Sequence, residues 1–407
     1  MLGVERLRQF AWASYGMYAL SGIAAVLLGA VMPELLHHYH ASYALGGRMV
    51  FIQAMGFLLG VPLASRAMAR HRPQAVLSGA ALIVTVAQVC LFMLPAFWLA
   101  SLVVVLNGIG AGALESIVAA IVLDRFIQQR AIYMSRLEVA FGLGALLLPA
   151  LTGGLIALGH WRAVFPVIAV FALGLAVWWQ SISVPSHEAS VSDSRHQDAV
   201  MAPPPKFPHR TAKIVVLSLF LSMTVVYVGL EGSVNSFMPS LFIAGLHAKA
   251  AIAVLSSTVF WSGMVIGRMA IHWVARHLRY DQYLFLCISV VLTILLIFSQ
   301  VRSAVPGFVL ILGLGLFMAA IYSLVMVYAN HTFPGRTHAI TGLVTAMAGG
   351  GGAIFPPLLG YAMDHIPIHG VLWILFGMAL LLLLGLIATT LSFQYLASRT
   401  RKADQPG

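Results

Sequence analysis

Apolar runs long enough to cross a lipid bilayer recur along almost the whole chain, and they constrain the fold more than any other feature. A helix needs about 20 mostly apolar residues to cross the hydrocarbon core. Windows of that length predict twelve spans, near residues 11–34, 46–68, 75–95, 98–123, 132–157, 162–182, 213–240, 249–275, 283–300, 304–328, 338–362 and 369–396. The sequence therefore predicts an all-α membrane protein with twelve transmembrane helices.

The distribution of charge agrees with a membrane protein and predicts its orientation. Charged residues make up 9% of the chain, against about 25% in a typical soluble domain. The net charge of +11 does not indicate a nucleic-acid partner, because the basic residues form short clusters between apolar runs. Of the 23 Lys and Arg residues, 19 would lie on one side of the membrane and four on the other, namely Arg48, Arg162, Lys249 and Arg302. The positive-inside rule then places both termini in the cytoplasm.

A polar stretch rich in Ser, His, Asp and Pro divides the predicted spans into six and six. It predicts an N-terminal six-helix bundle over residues 1–184, a cytoplasmic linker over 185–210 and a C-terminal six-helix bundle over 211–407. Its composition favours a flexible tether over a regulatory segment.

The two halves also share a pattern of glycines. Four glycines of the first half recur 207 residues later: Gly56, Gly60, Gly142 and Gly144 correspond to Gly263, Gly267, Gly349 and Gly351. Each glycine by itself is equally consistent with close helix packing. Their shared spacing predicts two bundles related by a pseudo-twofold axis, which in transporters move about a central site.

Three carboxylates lie inside apolar runs: Glu115 in span four, Glu138 in span five and Glu231 in span seven. A carboxylate in hydrocarbon costs several kcal/mol by most estimates, so one retained there usually serves a proton, ion or substrate pathway. Glu115 and Glu138 are predicted at similar depth, where desolvation and mutual repulsion favour one of the two holding a proton. We interpret all three as proton-coupling residues, with a structural salt bridge from Glu138 to Arg130 or Arg136 as the alternative.

Polar and aromatic side chains within the spans supply the groups that bind an uncharged polyol. Span four places Asn107 and Glu115 on one face, and span seven does the same for Tyr227, Glu231 and Asn235. Amides hydrogen-bond to hydroxyls, and aromatic rings cover the apolar face of a sugar. The candidate substrate-binding residues are Gln53, Asn107, Tyr227, Asn235, Trp261 and Tyr322. For the Trp and Tyr side chains, packing or anchoring at the membrane interface is the alternative.

No cofactor or metal is expected. Cys90 and Cys287 both fall in apolar segments, which implies neither a disulfide framework nor a thiolate metal site. His37, His38 and His40, at the outer end of span one, are interpreted as interfacial polar residues.

Three segments carry a resemblance to a known family. They are residues 110–115 (GAGALE), 135–146 (SRLEVAFGLGAL) and 227–231 (YVGLE). These segments, with the division into six and six spans, resemble the fucose permease-like branch of the major facilitator superfamily and especially the bacterial glucose/mannose:proton symporters. The resemblance implies a monomeric, proton-coupled sugar importer with Glu115 at its site. The chain lacks the aspartate that fucose permease has in span one, where the first acid is Glu34.

We therefore expect a multi-pass protein of the cytoplasmic (inner) membrane that imports a neutral hexose such as glucose or mannose together with protons by alternating access. The alternative is a proton-driven efflux transporter of amphipathic small molecules. A membrane-embedded enzyme is disfavoured, because no nucleophile–base or metal-ligand pattern is recognisable.

Overall fold

The computed structural model describes residues 2–126, 130–182, 210–274, 279–333 and 337–403. Within these residues the chain forms long α-helices: α1 Leu2–Tyr39, α2 Tyr43–Met68, α3 Pro73–Phe92, α4 Phe97–Arg125, α5 Arg130–Ala157, α6 Val164–Gln180, α7 Arg210–Leu246, α8 Ala250–Val274, α9 Tyr280–Phe298, α10 Ala304–Met318, α11 Ile321–Thr332, α12 Thr337–His365 and α13 Ile368–Ala403.

The twelve predicted spans are confirmed, since twelve helical segments are long and apolar enough to cross a membrane. Span ten is divided into α10 and α11, with Ala319 and Ala320 between them. An even number of spans places the start of α1 and the end of α13 on one side, which we call the termini side; the other is the far side. The predicted linker falls largely on residues 183–209, which lie outside the described residues, so its boundaries stay a prediction.

Matching helix pairs build the two bundles, which confirms the predicted fold class. In the first bundle α1 packs on α5, α2 on α4 and α3 on α6. In the second, α7 packs on α12, α8 on α10 and α9 on α13. Counting α10 and α11 as one span, these pairs correspond span for span. The bundles are therefore related by a pseudo-twofold axis.

The repeated glycines make the same contacts in both bundles. A methyl group on Gly144 would overlap the carbonyl oxygen of Ala19, and one on Gly351 would overlap that of Val225. Likewise, a methyl group on Gly56 would overlap the carbonyl oxygen of Val105 in the first bundle. One on Gly263 would overlap the equivalent oxygen, that of Leu312, in the second. Glycine is needed at these positions because the helix backbones touch there.

The bundles pack together through the far-side half of the molecule. Helices α5 and α8 meet along their length, and the Thr258 hydroxyl donates a hydrogen bond to the Leu146 carbonyl at 3.2 Å. In the far half, Gly29 of α1 lies against the Asn235 backbone of α7. Helix α2 also packs against α12. The molecule is thus closed on the far side.

Candidate functional site

An ion pair joins the two bundles within the membrane-spanning region. Arg268 Nη1 of α8 lies 3.0 Å from Glu138 Oε2 of α5 and donates a second hydrogen bond to the Glu138 carbonyl at 3.3 Å. The Arg268 side chain is 20% exposed and that of Glu138 43% exposed. Arg268 is one of the 19 basic residues predicted on the cytoplasmic side, and its charge also pairs with the opposite bundle.

Arg136, one of the two local partners considered for Glu138, contacts a different side chain. The guanidinium of Arg136 lies over the Tyr133 ring, 5.3 Å from its centroid. The side chain of Arg130 lies outside the described residues. A salt bridge to Glu138 does exist, but it comes from the opposite bundle.

Glu115 is held beside this ion pair by α1. The Ser21 hydroxyl lies 3.0 Å from Glu115 Oε2 and 3.3 Å from the Ala111 carbonyl oxygen. Glu115 is close enough to interact electrostatically with both Glu138 and Arg268. The similar depth expected for the two carboxylates therefore brings them into one site.

Arg268 lies within electrostatic range of three carboxylates, which together with it are called the cluster below. Besides Glu138 and Glu115, it interacts electrostatically with Glu231 of α7. The buried Tyr18 of α1 also lies within range of this cluster. The first bundle thus contributes two carboxylates and the second a guanidinium and a carboxylate, an arrangement that makes their mutual position sensitive to the charge of each carboxylate.

An aromatic ring and an amide adjoin the cluster. Trp261 Nε1 donates a hydrogen bond to Asn235 Oδ1 at 3.0 Å. The Arg268 guanidinium lies 5.8 Å from the centre of the Trp261 ring, and the Phe141 ring lies 5.7 Å from it. The Asn235 amide reaches the Ala25 carbonyl only at 3.5 Å, a long contact. This amide therefore retains donor capacity for a ligand.

The two candidate tyrosines have different surroundings. Tyr227 is buried, and its hydroxyl donates to the Met318 carbonyl at 2.7 Å, which satisfies a carbonyl at the C-terminal end of α10. It is also close enough to Glu231 to interact. Tyr322 is partly buried, lies near Thr345 and interacts electrostatically with all three carboxylates. Its hydroxyl is thus the better placed of the two to meet a ligand.

The pseudo-twofold axis relates the carboxylate pair to a hydroxyl pair. The offset of 207 that relates the glycines takes Glu115 to Tyr322 (115 + 207 = 322) and Glu138 to Thr345 (138 + 207 = 345). The equivalent positions of the second bundle therefore hold neutral side chains. The fold does not require carboxylates at these positions.

Gln53 and Asn107 belong instead to an amide network within the first bundle. Asn107 is buried, accepts a hydrogen bond from Gln88 Nε2 at 2.9 Å and donates to the Ala24 carbonyl at 3.2 Å. Gln53 Nε2 donates to the same carbonyl at 3.2 Å. These bonds tie α2, α3 and α4 to α1. The predicted contact of Gln53 and Asn107 with substrate is not shown by this arrangement and stays a prediction.

Sequence reasoning missed Arg268, Ser21, Tyr18 and Thr345 as members of the site. Arg268 had a usable signal, because it lies inside the predicted span 249–275, where an unpaired charge is costly. The other three are common in membrane helices and carry no such signal. Among the described residues, no group of three or more His, Cys, Asp or Glu side chains is placed to hold a metal ion.

Two pseudosymmetric bundles that meet around opposite charges within the membrane define a secondary transporter. Residues 15–356 match the Major Facilitator Superfamily, and the chain belongs to that superfamily. It is accordingly a multi-pass membrane transporter and not an enzyme.

Relatives and solved structures agree with this assignment. The chain is 28% identical over 371 residues to the glucose/mannose transporter GlcP of Bacillus subtilis (strain 168), covering 90% of this chain and 91% of that protein. It is 22% identical over 386 residues to Bypass of stop codon protein 6 of Saccharomyces cerevisiae, covering 87% and 76%. In fold it is similar to the nucleoside transporter NupG (TM-score 0.74, 12% identity, 94% of this chain and 99% of that one). It is likewise similar to a D-xylose-proton symporter (TM-score 0.70, 16% identity, 95% and 97%).

Proposed function

We propose that this transporter imports a neutral hexose such as glucose or mannose together with protons. The observation that carries the proposal is the Glu138–Arg268 ion pair, which joins the bundles at 3.0 Å beside Glu115 and Glu231. The similarity to a bacterial glucose/mannose transporter over 90% of the chain supports the choice of substrate class. We further propose that it acts as a monomer in the cytoplasmic (inner) membrane, with the termini side facing the cytoplasm.

Protons would act on the contact between the bundles. Glu138, Glu115 and Glu231 lie within electrostatic range of one guanidinium, so full ionisation leaves an excess of negative charge within the membrane-spanning region. A proton on Glu115 or Glu138 lowers the negative charge that holds Arg268 across the interface, and the guanidinium can then turn to another carboxylate. Proton binding would in this way alter the relative stability of the two access states.

The substrate would bind between the aromatic ring and the hydroxyl and amide groups that surround the cluster. Trp261 is buried in this conformation and would offer a flat apolar face once Arg268 moves, and Asn235 offers an amide with spare hydrogen-bonding capacity. Tyr322 and Thr345 add hydroxyl groups from the second bundle. Such a set suits the alternating hydroxyls and C–H faces of a hexose.

The test is uptake of labelled glucose into proteoliposomes with and without an inwardly directed proton gradient. We expect accumulation above equilibrium only with the gradient, and its loss on addition of a protonophore. Protein-free liposomes supply the control. Gradient-driven extrusion of amphipathic dyes without hexose uptake would contradict the proposal and favour the efflux alternative.

A further inference from the structure

Asp364, at the far-side end of α12, binds the first turn of α2 across the interface between the bundles. Its Oδ1 accepts a hydrogen bond from the Tyr43 N–H at 2.9 Å, and its Oδ2 accepts one from the Ala44 N–H at 2.7 Å. Tyr43 is the first residue of α2. These are two of the N–H groups that an α-helix leaves without a partner in its own backbone.

Helix α2 has little means of its own to satisfy these two groups. The Ser42 hydroxyl accepts only from the Leu45 N–H, at 3.4 Å, and the first turn contains no acidic residue. The partial positive charge at a helix N-terminus also attracts a carboxylate. The second bundle supplies the negative charge that the first bundle lacks there.

Close backbone packing brings the two helix ends together. A methyl group on Gly360 would lie 2.5 Å from the Tyr43 carbonyl oxygen, and one on Gly47 would lie 2.7 Å from Pro357 Cα. Only glycine leaves room for this approach. This close packing places the Asp364 carboxylate within hydrogen-bond distance of the first turn of α2.

The equivalent interface on the other side of the pseudo-twofold axis has no such carboxylate. Subtracting 207 from 364 gives Ala157 at the end of α5, and adding 207 to 44 gives Ala251 in the first turn of α8. Here too the helices are close, since a methyl group on Gly153 would lie 2.9 Å from the Ala251 carbonyl oxygen. The interface thus packs without an aspartate, so Asp364 is not a requirement of the fold.

The contact is open to water from the far side. A cavity of about 620 Å³ lies between the bundles at this end. Charged and polar groups from both bundles line it, namely Glu34, His37, His40, Ser42 and Asp364. Water can therefore replace the carboxylate at the α2 terminus when the helices part.

We infer that Asp364 is a far-side latch that stabilises the far-side-closed conformation. Its two charge-assisted hydrogen bonds form only while α2 and α12 are together, and they are exchanged for water when the far side opens. An interaction present in one of two conformations shifts the equilibrium toward that conformation. The inference rests on the alternating-access part of the proposed function and is independent of the substrate and of the coupling ion.

The distance between the far-side ends of the bundles tests the latch. Spin labels on cysteines at Ala96 and Ser303, both exposed far-side positions, report this distance by double electron–electron resonance after replacement of Cys90 and Cys287 by alanine. We expect Asp364→Asn to raise the ratio of long to short distances roughly tenfold without any substrate, because its neutral amide binds the helix terminus less well. A distribution unchanged from that of the parent would overturn the inference.

Two further variants separate a latch from a simple helix cap. Glu34→Gln removes a carboxylate that lines the same cavity without a hydrogen bond to α2, and it should leave the distances unchanged. Ser42→Asp, added to Asp364→Asn, supplies a cap from within the first bundle, so it should restore thermal stability but not the short distance. If Ser42→Asp restores the short distance, or if Glu34→Gln lengthens it, Asp364 is not a latch. Because no sugar is present, failure of hexose uptake would leave this result intact.

Discussion

Arg268 links the charges of the two bundles, and its environment explains why a cation is tolerated inside the membrane. Its guanidinium lies 3.0 Å from Glu138, interacts with two further carboxylates and rests over the Trp261 ring. A charge in this region is stable only when it is paired. Several consequences of this arrangement can be measured at single residues.

Replacing Glu115 by glutamine tests the coupling carboxylate. The amide can still accept a hydrogen bond from Ser21 but cannot release a proton. We expect Glu115→Gln to abolish proton-driven accumulation of glucose while sugar exchange across the membrane continues. Glu34→Gln, which alters a carboxylate outside the cluster, is the control and should accumulate normally. Normal accumulation by Glu115→Gln would exclude Glu115 from coupling.

Truncating Asn235 or Trp261 tests the proposed sugar contacts. Loss of a hydrogen bond or of an aromatic face costs on the order of 1 to 3 kcal/mol, which is about a 5- to 150-fold loss of affinity. We expect Asn235→Ala and Trp261→Ala to weaken glucose binding in isothermal titration by such factors. Trp261→Ala should also lower the melting temperature, because the Trp261 side chain is buried. Trp98→Ala removes a tryptophan far from the site, 67% exposed on the surface of α4, and should leave the affinity unchanged. Affinities within twofold of the parent would assign both residues to packing alone.

A double-mutant cycle tests the ion pair between the bundles. Removing either member leaves the other without its partner, so the double variant should lose less stability than the sum of the two single variants. Because Glu138 is partly exposed, we expect a coupling free energy of only about 0.5 to 1 kcal/mol for Glu138→Ala and Arg268→Ala in thermal or denaturant unfolding. The same cycle with Arg136→Ala should give a coupling near zero, because Arg136 contacts Tyr133. Additive effects for Glu138 and Arg268 would show that their contact is energetically unimportant.

At the scale of helices, small residues set how closely neighbouring backbones approach. Gly144 and Gly351 meet carbonyl oxygens of α1 and α7, whereas Gly154 and Gly350 on the same two helices have open space at the position of a methyl group. We expect Gly144→Ala and Gly351→Ala each to destabilise the protein by about 1 to 3 kcal/mol, because the helices must separate. Gly154→Ala and Gly350→Ala should be neutral or slightly stabilising. Melting temperatures in detergent measure the difference, and equal effects at all four sites would refute this packing role.

The break in span ten is a second property of the helices. Gly112 of α4 leaves room for the Phe57 carbonyl, and its counterpart in the second bundle is Ala319 (112 + 207 = 319). The methyl group of Ala319 prevents an equally close approach of the neighbouring helix backbone. The helix is interrupted at this position, between α10 and α11. Tyr227 donates a hydrogen bond to the Met318 carbonyl at this break. The break contains no Gly or Pro, so the sequence did not predict it.

At the scale of the whole molecule, the nature of the central site predicts its selectivity. A site that hydrogen-bonds hydroxyl groups rejects a sugar with one misplaced hydroxyl, because a buried partner is left unpaired. A ligand that prefers the folded state raises apparent stability according to its occupancy. In thermal-shift measurements we therefore expect stabilisation by glucose or mannose and a weaker response to hexoses that differ at one hydroxyl.

A panel of unrelated amphipathic dyes supplies the comparison. A narrow polar site should not respond to them, whereas a loosely packed efflux cavity binds chemically diverse compounds. Stabilisation by several dyes with no response to any hexose would contradict the sugar assignment. It would leave the superfamily membership and the fold unaffected.

The sequence by itself determined the spans, the two halves and the three carboxylates within the spans. These features depend on local properties: the length of an apolar run, the repeat of glycines at an offset of 207, and the cost of a charge in hydrocarbon. The sequence predicted a similar depth for Glu115 and Glu138, and the structure adds Glu231 within electrostatic range of the same arginine.

Only the tertiary structure decided which groups these residues meet. Glu138 pairs with Arg268, which is 130 residues away in the chain, whereas Arg136 of its own helix contacts Tyr133. Asp364 binds Tyr43 across a separation of 321 residues, and Asn107 uses its amide to hold α1. Such contacts depend on how two separately patterned bundles meet, and a pattern within one helix carries no information about the side chains that the other bundle presents.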